Sequence, residues 1–150
     1  MSSEQLYINV RDSVTRASKS EYKDPTSLID ELTNAKFSLT REDSQVVTNL
    51  IDILKKFDDN KGLAVELIKT LVIVVESIDG RGRGSFKKEE ASKLFSSIIV
   101  LLGVSQRDRK VYLAMFDNTV ELIFWGRDWV DKGGWTRLKE RLYNIFSCSS

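Results

Sequence analysis

The chain has 150 residues, enough for one domain with a sizeable core, and is 41% apolar and 30% charged, which fits a folded globular protein and excludes a disordered one. A net charge of +1 gives no pull toward nucleic acid or anionic lipid. With no histidine and one cysteine (Cys148), the chain cannot use histidine acid–base chemistry, a Ser-His-Asp or Cys-His site, His-ligated zinc or a disulfide framework.

Helical periodicity runs almost throughout and divides into seven segments. The first, residues 3–18, carries Leu6, Val10 and Val14 at i, i+4 spacing. Residues 20–26, with the lone proline Pro25, break the pattern; a short second helix follows, capped by Ser27 and striped by Leu28, Leu32 and Ala35. The third begins at Thr40, whose hydroxyl suits the amide of Asp43, and carries Val46, Val47, Leu50, Ile51, Leu54 and Phe57. Asp58-Asp59-Asn60 ends it.

The fourth segment, residues 62–78, is apolar over most of its surface, and three alternating glycines then make residues 79–84 a loop. The fifth, residues 85–103, runs through Leu94, Phe95, Ile98 and Ile99. Ser105 caps the sixth, which continues through Val111, Phe116 and Val120 to Val130. The seventh starts after Gly133-Gly134 and carries Trp135, Leu138, Leu142, Tyr143 and Phe146. The expected fold is all-α: one domain over residues 1–150, a bundle of about seven helices with the fourth and fifth most buried. The longest apolar runs are far too short to span a bilayer, and no hydrophobic or Arg-rich leader opens the chain, so an intracellular, cytoplasmic protein is expected.

The glycine-rich stretch from Asp79 to Glu90 has the skeleton of a calcium-binding loop, with aspartate first, glycine sixth and glutamate twelfth. Arg81 and Arg83 stand at positions three and five, where oxygen ligands belong, so at best it is a degenerate relative that binds no calcium. A phosphate cradle has the glycines and arginines but lacks the P-loop lysine and hydroxyl. No metal, cofactor or enzyme motif is expected.

The most informative stretch is Trp129-Val130-Asp131-Lys132-Gly133-Gly134-Trp135, a helix stop followed at once by a helix start. Ahead of it, Val74-Val75-Glu76-Ser77-Ile78-Asp79-Gly80 leads into Gly82-Arg83, with the Trp corner about fifty residues on, the length two antiparallel helices need at about 1.5 Å per residue. In order and spacing these two motifs resemble the first and second homology regions of the Bcl-2 family of apoptosis regulators. Upstream, Leu28, Leu32, Ala35 and Leu39 match only the apolar four-three-four frame of the third homology helix, with Lys36-Phe37 in place of that helix's Gly-Asp. The sequence Leu50-x-x-x-Leu54-x-x-Phe57-Asp58-Asp59 imitates a ligand helix and reads better as core packing at a helix end.

The resemblance implies a Bcl-2-like fold with a buried central helical hairpin. It also implies a surface groove that takes the amphipathic death-motif helix of pro-apoptotic family members. The second, third and fourth helices would wall that groove and the fifth would floor it. Lining residues would be Leu54, Phe57, Leu71, Val74, Val75, Ile78, Phe86 and Phe95, with Gly82 and Arg83 at the edge. Arg83 would pair with the ligand's aspartate through planar, bidentate contacts. Trp129, Gly133, Gly134 and Trp135 would build a structural corner.

The chain departs from the family pattern in three places. The loop is shorter, Arg81 replaces the motif's tryptophan, and the two indoles stand closer together. No C-terminal membrane anchor is read, which is similar to some viral members and points to a cytoplasmic form or one held peripherally at mitochondria, sequestering its partners to inhibit apoptosis. Two other classes stay open: a helical interaction domain that forms homodimers through an apolar helix face, and the degenerate calcium-sensor relative.

Overall fold

Capping side chains mark the starts of three of the described helices. A computed structural model describes residues 4–21, 24–58, 61–78 and 84–123. It gives α1 (Glu4–Lys19), α2 (Pro25–Ala35), a 3-10 turn (Lys36–Ser38), α3 (Arg41–Lys56), α4 (Lys61–Glu76), α5 (Gly84–Leu101) and α6 (Gln106–Ile123). No strand occurs among the described residues. The seventh helix expected from the sequence lies outside them.

Thr40 Oγ1 accepts the Asp43 N–H at 3.2 Å and Ser105 Oγ accepts the Asp108 N–H at 3.2 Å, the two caps expected from spacing. The start of α2 differs from expectation. Asp24 is the cap, its carboxylate accepting the Ser27 N–H at 2.9 Å, and Pro25 occupies the first helical turn. Proline there loses no hydrogen bond and its φ is already helical, so the residue read as a breaker is a start signal.

α2 also ends earlier than the apolar frame suggested. The Lys36 N–H closes on Leu32 O, a 3-10 turn follows, and Leu39 is extended at φ −104, ψ 161. Leu28, Leu32, Ala35 and Leu39 therefore do not share one helix. At the other end of the bundle α5 closes on Gly103, at φ 80, with Val104 N–H to Ile99 O (3.1 Å) and Gly103 N–H to Val100 O (3.0 Å). That is a Schellman closure, which places a left-handed residue where glycine carries no Cβ penalty.

α4 sits at the centre, packed against α1, α3, α5 and α6, while α2 fills the space beside α1 and α3. Leu71, Ile73, Val74 and Val75 have no exposed surface, as expected of a helix apolar on several faces. α5 is buried on one side only. Ala91, Leu94, Phe95, Ile98 and Ile99 face the core, whereas Lys88, Glu89, Lys93 and Val100 face water. α4 is thus the most covered helix, with α5 packed beside it and buried along one face. α6 contributes Tyr112, Phe116 and Val120, and Phe116 stacks on Phe95 with ring centroids 5.5 Å apart. Among the described residues no helix is long and apolar enough to cross a membrane.

Candidate functional site

Most of the expected groove residues, on either side of the α4–α5 corner, are interior side chains. Leu71, Val74, Val75 and Phe95 are fully buried, and Ile78 and Leu54 nearly so, all within one core cluster. Apolar side chains on a helix covered on four sides pack inward, so these six present no open furrow. Phe57 follows α3 directly, half-buried, its ring tilted against Tyr112 with centroids 6.1 Å apart. Phe86, in the first turn of α5, is 36% exposed. Gly82, Arg83, Trp129, Gly133, Gly134 and Trp135 lie outside the described residues.

Sequence reasoning missed a polar knot at the same corner. The end of α4 tightens through Ser77 N–H to Val74 O (3.2 Å) and Ile78 N–H to Val75 O (3.0 Å). Ser77 Oγ donates to Val74 O at 2.7 Å and accepts the Tyr7 backbone N–H at 3.2 Å. Beside it Lys87, on the first turns of α5, reaches back across the core edge. Its ammonium lies 3.7 Å from Glu76 Oε2 and 3.5 Å from the Glu76 carbonyl oxygen. The side chains of this ion pair are only 9% and 12% exposed.

The Tyr7 hydroxyl faces Glu90 and Arg11, and its pKa is raised above 10.0. Burial is the main cause, followed by the charge and hydrogen bonding of Glu90; Arg11 opposes both. The Arg11 guanidinium lies 5.5 Å from the Tyr7 ring centroid and bonds Asp12 at 3.2 Å. Glu90 also approaches Lys93, at 3.7 Å. One signal for this knot was present: Lys87 stands at the head of the apolar stripe Ala91, Leu94, Phe95, Ile98, where a solvated charge does not belong.

An open cleft of about 340 Å³ lies between α5 and α6, bordered by Ser85, Lys88, Ser92 and Lys93 on one side and Phe116 and Asp117 on the other. Its lining charges are mixed in sign, with Lys88 and Lys93 beside Glu89 and Asp117. Among the described residues no group of three or more acidic or thiol side chains could hold a metal ion.

No known protein family, curated protein or solved structure matches this chain.

Proposed function

We propose that this protein binds the amphipathic helix of pro-death partners at the α4–α5 corner, as a Bcl-2-like regulator that restrains apoptosis by sequestration. One observation carries the reading: α5 begins at Gly84, directly after Gly82-Arg83, and packs on α4 before it and α6 after it. This is the helical context that the resemblance to the family's first homology region implies. The absence of histidine and of a metal-ligating cluster among the described residues fits binding better than catalysis.

Because the lining side chains are buried, a ligand helix must displace intramolecular contacts. Phe86, 36% exposed in the first turn of α5, and the half-buried Phe57 after α3 are the least costly places to begin, since they give up less packing than the fully buried lining residues. Each ligand side chain buried there adds roughly 1.5–3 kcal/mol, offset by the contacts it replaces and by ordering. Slow association is therefore expected, because the competent state is a minor one. Fluorescence anisotropy of the whole chain against a panel of labelled pro-death helix peptides tests the reading. Saturable binding to some of the panel supports it; no binding to any member overturns it.

A further inference from the structure

We infer that the end of the bundle where α3 stops and α6 starts is a docking surface for an acidic amphipathic segment of a partner protein. The Phe57–Tyr112 ring pair assembles it, with centroids 6.1 Å apart, seating the residue after α3 on the second turn of α6. Lys55 and Lys56 close α3, and Arg107 and Lys110 stand among the first residues of α6. At a rise of about 1.5 Å per residue, both α6 cations lie within about 8 Å of Tyr112 along the helix axis. All four side chains are exposed, and among the described residues none is held in an ion pair.

The charge at this end is positive. Lys55, Lys56, Arg107, Arg109 and Lys110 stand against Asp52, Asp58 and Asp108, an excess larger than the +1 of the whole chain. Lys55 and Lys56 complement the α3 dipole, so helix stability alone accounts for them. That account fails for Arg107, in the first turn of α6, where the dipole favours acids. Arg109 nearby is used internally, its Nε donating to Val104 O at 3.1 Å. An external anion gives Arg107 the partner that its own helix does not.

Between the cations the surface is apolar but shallow. Val111 is 45% exposed, next to Lys110, and Phe57 is half-buried. A half-buried ring against a second helix can be reached by a peptide side chain, whereas a bilayer anchor must stand clear of the fold. The surface therefore suits a segment carrying both apolar and acidic residues better than an anionic membrane. It shares only Phe57 with the reading at the α4–α5 corner and stands without it.

The test titrates the full chain into a labelled amphipathic peptide of leucine and glutamate. The same peptide with lysine for glutamate, and vesicles of equal parts phosphatidylserine and phosphatidylcholine, are run beside it. Saturable binding to the acidic peptide alone is expected, weakening as salt rises. Arg107→Glu with Lys110→Glu should weaken it about tenfold or more. Val111→Ala, which trims the apolar part, should weaken it about threefold. Lys36→Glu with Lys88→Glu, an equal charge change away from this end, should leave it unchanged.

The paired α6 reversal should melt at or above the wild type, because acids suit a helix start. Should it fail to fold, Arg107→Gln with Lys110→Gln carries the same direction. No binding to the acidic peptide, equal binding to its lysine counterpart, or equal losses in the two charge-reversed pairs overturns the inference. Binding to the vesicles without the peptide overturns it in favour of a membrane surface.

Discussion

Ser77 and Tyr7, seventy residues apart in sequence, meet in a buried hydrogen bond from the Tyr7 backbone N–H to Ser77 Oγ at 3.2 Å. The same hydroxyl donates to Val74 O, so one serine closes α4 and serves the first turn of α1. Ser77→Ala removes this acceptor from an amide that water cannot reach. A loss of about 1–2 kcal/mol is expected. In a denaturant titration it should lower the midpoint and leave the slope unchanged.

Ser13 gives the opposite case. Its side chain is fully buried and its hydroxyl has no hydrogen-bond partner among the described residues. Ser13→Ala removes a desolvated polar atom and leaves almost no cavity, so stability should hold or rise by up to about 1 kcal/mol. A lowered midpoint would show that the hydroxyl has a partner.

Tyr7 sets a pH dependence. Its pKa in the fold lies above 10.0, first through burial and then through Glu90. The folded state therefore holds this proton more tightly than the unfolded chain. The resulting stability is complete below pH 10 and declines as pH rises through the folded value. Unfolding curves between about pH 8 and 11 should show Tyr7→Phe losing less stability with pH than the wild type.

Gly103 is held at φ 80, and a Cβ built there meets nothing within 4 Å. Backbone strain alone then sets the cost of Gly103→Ala, expected at about 1 kcal/mol, with Gly103→Asn milder because asparagine tolerates this region. Paired thermal melts of the two variants measure the difference.

The helical architecture was legible because each described helix carries an apolar stripe and two of them a readable cap. Thr40 and Ser105 do in the structure what their spacing suggested. Pro25 was misread because a proline that opens a helix and one that breaks it look alike until the Asp24 cap is seen. The apolar frame running on to Leu39 misled for another reason: a 3-10 turn keeps roughly helical spacing while turning the chain away.

The candidate site was legible only in part. The sequence reading placed Leu71, Val74, Val75 and Phe95 along a groove, and in the structure all four belong to the buried core cluster. Periodicity cannot distinguish a groove wall from a core wall, and burial decides for the core. Lys87 at the head of the α5 stripe signals a buried cation, but its partner Glu76, eleven residues back on another helix, follows no helical spacing.

Helix capture through Arg83 is tested most directly by a calorimetric double-mutant cycle. The full chain and its Arg83→Ala variant are each titrated with a pro-death helix peptide and with that peptide bearing alanine in place of its aspartate. Saturable binding is predicted, with either change weakening it and the two together costing less than their sum, a coupling of about 1.5 kcal/mol or more. Fully additive losses, or no saturable heat with the unaltered pair, would contradict it.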